Sequence, residues 1–124
     1  MRGTILLLDD EVWVSLTVAE ILADHGYEIA GPFKTNAAAL AYLATNTPDA
    51  AILDYQLVDG RSNETAARLI ELGVPVIVAS GFARSVATEP EYENAVWLEK
   101  PFGETALLNA LHTAFLQTAH LSAA

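Results

Sequence analysis

Cysteine is absent from this chain of 124 residues, which removes disulfides and thiolate metal sites from consideration. Basic residues are scarce: Lys and Arg number 6 against 16 Asp and Glu, a formal net charge of -10. A surface this anionic repels a phosphate backbone, whose recognition begins with Lys/Arg neutralisation, so direct nucleic-acid binding is not expected. It would instead attract a cationic partner surface or a metal ion. Long apolar runs are missing too. The run Ile5-Leu6-Leu7-Leu8 stops at Asp9, too short for a signal-peptide core and far too short for a bilayer. These absences predict a soluble, cytoplasmic protein without a membrane attachment. What the chain does have is apolar mass: 52% of its residues are hydrophobic, enough for one core in a chain of single-domain length.

Short apolar runs alternate with longer segments of helical period. Ile5–Leu8, Tyr27–Ala30, Ala50–Leu53, Val74–Ala79 and Val96–Leu98 read as strands, and most are continuous rather than alternating, as strands covered on both faces are. Between them, Val12 to Leu22, Ala37 to Ala44 and Ala66 to Leu72 repeat at helical spacing, with Gly26, Asn46-Thr47-Pro48 and Gly73 as stops. Gly31-Pro32 is expected to close the second strand, and Asp59-Gly60 to turn the chain after the third. Residues 82–94 carry only Ala83, Val86 and Ala87 as an apolar face and are interrupted by Pro90, so a short or mobile fourth helix is expected there. Ala106 to Phe115 form the last helix, with fraying expected from His120 to Ala124. The order predicts an α/β fold: a doubly wound, five-stranded parallel sheet with helices on both faces, in one domain over residues 1–124.

In open parallel sheets, ligands bind beyond the carboxyl ends of the strands. Asp9-Asp10-Glu11 follow the first strand, Asp54 ends the third, Ser80 the fourth, and Glu99-Lys100 the fifth. Each has an ordinary explanation alone. The acids could sit in a first helical turn, worth about 0.3–1 kcal/mol against the helix dipole; Asp54 could be a turn residue, Ser80 a loop hydroxyl, Lys100 a solvated charge. Their joint placement on one sheet edge is the informative feature. Two carboxylates about 5 Å apart repel by roughly 3 kcal/mol at an effective dielectric near 20, so Asp9, Asp10 and Asp54 need cations beside them. Lys100 offsets part of that charge, and a hard divalent ion with oxygen ligands offsets more, with Mg²⁺ (or Mn²⁺) suited to such a site. A carboxylate can also attack phosphorus, given a cation, a metal and a hydroxyl donor in place. Asp54, Lys100, a metal and Ser80 are those parts.

With Leu8-Asp9-Asp10-Glu11, Ile52-Leu53-Asp54, Ala79-Ser80-Gly81 and Lys100-Pro101-Phe102 in this order, the chain resembles the receiver domain of bacterial two-component response regulators, a flavodoxin-like fold. The resemblance covers essentially the whole chain and implies a stand-alone receiver with no output domain. It implies Asp54 as phosphoacceptor, Asp10 as a direct metal ligand, Asp9 as one acting mainly through water, and the main-chain carbonyl of Gln56 as a further ligand. It also implies Ser80 and Lys100 as the groups that meet the phosphoryl moiety, Trp97 at the position of the family's switch aromatic, and Lys100-Pro101 as a cis peptide. Implied partners are a histidine kinase or histidine phosphotransfer protein and a downstream protein not named by the sequence. Leu57-Val58, Ser80-Gly81-Phe82 and Trp97 depart from the commonest family pattern.

Three other readings share parts of this pattern. An aspartyl-nucleophile phosphatase resembling the haloacid-dehalogenase group would want a second Asp two residues past Asp54, where Gln56 cannot shuttle protons. A flavin or nucleotide binder would want a Gly/Ser/Thr loop after the first strand rather than three acids. A constitutive interaction module with this fold would need no switch. The expectation is therefore a phosphoacceptor rather than a multiple-turnover enzyme. His25, His112 and His120 show no metal-like grouping and are assigned no chemistry.

Overall fold

The computed structural model describes residues 2–123, with side chains through Gln117. Five strands, β1 (Thr4–Leu8), β2 (Glu28–Phe33), β3 (Ala50–Asp54), β6 (Val76–Ser80) and β7 (Val96–Glu99), form one parallel sheet in the order β2-β1-β3-β6-β7. A two-stranded antiparallel ribbon, β4 (Gln56–Leu57) with β5 (Gly60–Arg61), follows β3 directly. The helices are α1 (Val12–Asp24), α2 (Asn36–Leu43), α3 (Asn63–Glu71) and α4 (Glu104–Ala123).

The strands are continuous in hydrophobicity because both faces are covered. Leu6, Leu8, Leu53 and Val78 point toward α2 and α3, where Leu43 and Leu69 meet them. Ile5, Leu7, Ile52 and Ile77 point the other way, toward Val18 and Leu22 of α1 and Leu107 and Leu111 of α4. Alternation along a strand thus sorts side chains between two cores rather than between core and solvent.

Two expectations need correction. The second strand does not close at Gly31-Pro32 but runs on to Phe33, with a register shift against β1 between Leu6 and Leu8. Gly31 takes φ 110°, and a Cβ there would stand 2.7 Å from the Leu7 carbonyl oxygen, so only glycine allows this approach. The fourth crossover holds no α-helix. Two single 3₁₀ turns, Arg84–Val86 and Pro90–Tyr92, stand in its place, since the segment lacks an apolar stripe to bury and Pro90 cannot donate a helical bond. The last helix, α4, is assigned as helix to Ala123. The His120 side chain and all of Ala124 lie outside the described residues, and the expectation for that histidine with them.

Candidate phosphoacceptor site

The site is assembled from the carboxyl ends of β1, β3, β6 and β7. The extra length of β2 matters first: the Phe33 carbonyl accepts the Asp9 N–H at 2.9 Å, fixing the residue just beyond β1. Asp9 is buried, at 4% exposure, and its Oδ1 accepts the Glu11 N–H at 2.8 Å. That turn launches α1 and points the chain outward, leaving Asp10 half-buried and Glu11 exposed. One strand over, Asp54 closes β3 opposite Ala79 of β6 and is 8% exposed.

Lys100 connects them. Its main-chain N–H donates to the Ser80 carbonyl at 2.8 Å, a continuation of the β6–β7 ladder. Its Nζ donates to Glu11 Oε1 at 2.6 Å and to Asp9 Oδ2 and Asp54 Oδ2 at 3.3 Å each. The Lys100-Pro101 peptide is cis, as is Gly31-Pro32. Carboxylate oxygens of Asp9, Glu11 and Asp54 lie within 4.8 Å of one another, the one such group among the described residues.

Burial and charge set the protonation balance. Burial pushes the Asp54 carboxyl up to about 6; Lys100 holds it down and Asp9 adds to the rise. Burial also raises Asp9, against the lowering effects of the Glu11 N–H and of Lys100. For Lys100, burial disfavours the charge, but its bond to Glu11 and the fields of Asp54 and Asp9 outweigh that and raise it. Three carboxylates facing one ammonium leave the cluster net anionic when ionised. Its donors are all hard oxygens, so the set fits a divalent ion such as Mg²⁺.

A cavity of about 720 Å³ opens above Asp54, walled by Trp13, Phe82 and Phe102 on its apolar side. Asp10, Gln56 and Ser80 also border it. Of the residues singled out from the sequence, Asp9, Asp54 and Lys100 are in direct contact, while Asp10, Gln56 and Ser80 share the cavity without joining the ionic cluster. The Ser80 hydroxyl is buried and accepts the Phe82 N–H at 2.9 Å. Trp97 stands apart. Its indole Nε1 donates to the Phe82 carbonyl at 3.0 Å and its ring packs 5.8 Å from Tyr55, lining a separate recess beside the 3₁₀ turns.

Two features of the site carry little signal in the sequence. Glu11 joins the ionic cluster, where the sequence alone points to Asp9, Asp10 and Asp54; its position two residues after Asp9 is that of a residue held by an aspartate turn. The second is the frame around the ribbon. Buried Asn36 donates from Nδ2 to Asp59 Oδ1 at 3.2 Å and to the Arg61 carbonyl at 3.0 Å, and accepts Thr65 Oγ1 at 2.6 Å. Asp59 in turn accepts the Asn36 N–H, the main cause of its lowered pKa. A lone Asn after Thr35 gave no signal beyond a helix start.

Residues 5–112 match the response regulator receiver domain, and the chain belongs to that family. The transcriptional regulatory protein PdtaR of Mycobacterium tuberculosis is 26% identical, over 89% of this chain and 55% of its own length, so this chain spans about half of that relative. A structure of NtrX from Brucella abortus in complex with ATP is similar at a TM-score of 0.83 and 25% identity, covering 98% of this chain and 29% of that one. A response regulator receiver protein from Sinorhizobium medicae WSM419 is similar in fold, with a TM-score of 0.80, 24% identity, and 93% and 95% of the two chains covered. Among the described residues no helix is long and apolar enough to cross a membrane.

Proposed function

We propose that this receiver accepts a phosphoryl group on Asp54 from a phosphohistidine of a histidine kinase or phosphotransfer protein, and signals by binding another protein. The observation that carries this is the Asp54 carboxylate, placed at the floor of an open cavity and flanked by the Lys100 ammonium and the Asp9 carboxylate. An Asp54 oxygen bonds to phosphorus as the phosphorus–nitrogen bond of the donor breaks. The nitrogen lone pair returns to the imidazole, so no proton is needed from Asp54, which must be ionised to attack. Lys100 offsets the charge arriving with the phosphoryl group, about −1.5 to −2. Ser80 can meet a phosphoryl oxygen by turning its hydroxyl away from the Phe82 N–H.

Asp9 and Asp54, with Asp10 and the main-chain carbonyl of Gln56, would hold Mg²⁺ or Mn²⁺. The ion supplies neutralisation of phosphoryl oxygens. In this reading the chain is a phosphoacceptor of the cytoplasm and turns over no external substrate. The downstream partner would meet the surface formed by the 3₁₀ turns, β7 and α4.

Incubation with Mg²⁺ and acetyl phosphate, followed by intact mass measurement, tests the proposal. An acid-labile adduct of phosphate mass is expected in the wild type and absent from Asp54→Ala. An adduct that persists in that variant, or none in the wild type, refutes it.

A further inference from the structure

Glu11 makes the shortest contact in the site, yet it is the most exposed of the three acids there. Its Oε1 lies 2.6 Å from Lys100 Nζ, while Asp9 and Asp54 each stand at 3.3 Å. The ammonium is therefore drawn toward the solvent side of the cluster. The tether is itself anchored: the Glu11 N–H is held by Asp9 Oδ1, and Asp9 by the Phe33 carbonyl.

We propose that Glu11 is a positioning residue for Lys100, competing with Asp9 and Asp54 for the ammonium so that their carboxylates stay open to a divalent ion. This rests on the reading of the cluster as the metal-assisted phosphoacceptor site. Lys100 and a divalent ion compete for the same oxygens, because each cation gains most by approaching Asp9 and Asp54 closely. Held by Glu11, the ammonium sits at the edge of that pair. Without Glu11 it settles onto the pair and blocks the ion. Once Asp54 carries a phosphoryl group, the stronger anion draws Lys100 from Glu11. The contact is then a resting-state hold that phosphorylation releases.

This differs from Glu11 acting as a metal ligand, and a variant cycle separates the two. Calorimetric titration with Mg²⁺ alone would be run on the wild type, Glu11→Gln, Lys100→Met and the double variant. Lys100→Met keeps the aliphatic stem, and Lys100→Gln serves as a second neutral replacement should the first not fold. Glu11→Gln is expected to weaken Mg²⁺ binding several-fold more with Lys100 present than when residue 100 is neutral, where only the loss of a nearby negative charge is left to act. Equal weakening in both backgrounds means that Glu11 acts on the ion without Lys100, as a ligand or as a nearby charge, and overturns the proposal. No weakening in either also overturns it, as does a wild type that binds no Mg²⁺. Because the readout is ion binding, a negative result with a normal phosphate adduct on Asp54 defeats this inference alone. Loss of the adduct defeats the proposed function.

Discussion

Asp54 is held in a position that stability would not choose. Burial raises its pKa to about 6 from an unperturbed value near 3.8. The folded state therefore binds a proton more readily than the unfolded one across that interval. Stability consequently falls as pH rises from about 4 to about 6, then levels off. Asp54→Asn removes the cause: in metal-free buffer it should be more stable than the wild type at pH 7.5, by about 2–3 kcal/mol, and equal to it near pH 4. Thermal melts at the two pH values check this, and a gap that does not close at pH 4 counts against it. The acidic residues were legible in the sequence because they end apolar runs. Their division of labour was not, since a run of three acids does not say which is buried. The turn at Asp9 decides that, burying the first and exposing the third.

At the level of elements, the segment between β6 and β7 is held by side chains rather than by a helix. Arg84 donates to the carbonyl oxygens of Ala95 at 2.7 Å, Glu93 at 2.7 Å and Tyr92 at 3.3 Å, closing the loop on itself. Arg61 of β5 reaches Glu89 at 2.7 Å, and buried Tyr55 donates to the same carboxylate at 3.1 Å. Arg84→Ala should speed amide exchange across residues 84–95 while leaving exchange in β1 and β3 unchanged, because local opening draws on few buried contacts. Exchange that rises equally in all strands would contradict this. The sequence pointed to a weak element here because its apolar face is thin. It could not show the arginine clasp, which depends on carbonyl directions set by two 3₁₀ turns. The full length of the second strand is hidden in the sequence for a related reason. Gly31-Pro32 is a common stop, and only the nearness of the Leu7 carbonyl explains why the strand passes through it.

For the molecule as a whole, the doubly wound order was readable because five apolar runs end in polar residues and helical periods separate them. Two cores lie on opposite sides of one sheet, and only their shared strands join them. Leu107, fully buried in the core of α1 and α4, takes no part in the ion pairs of Asp9, Glu11, Asp54 and Lys100, and Leu107→Ala should cost about 2–5 kcal/mol and lower the urea midpoint. It should still take phosphate on Asp54 at low denaturant; loss of the adduct in a folded variant would tie that core to the site more tightly than the packing suggests. The indole of Trp97, bonded to the Phe82 carbonyl two residues beyond Ser80, has a practical corollary. Any rearrangement of the Ser80 loop must stretch or swing that bond, so the emission of Trp97 becomes an optical gauge of the loop, free of any label. The chain's other tryptophan, Trp13, is 82% exposed at the cavity mouth, and replacing it with Phe would leave that gauge to be read by itself.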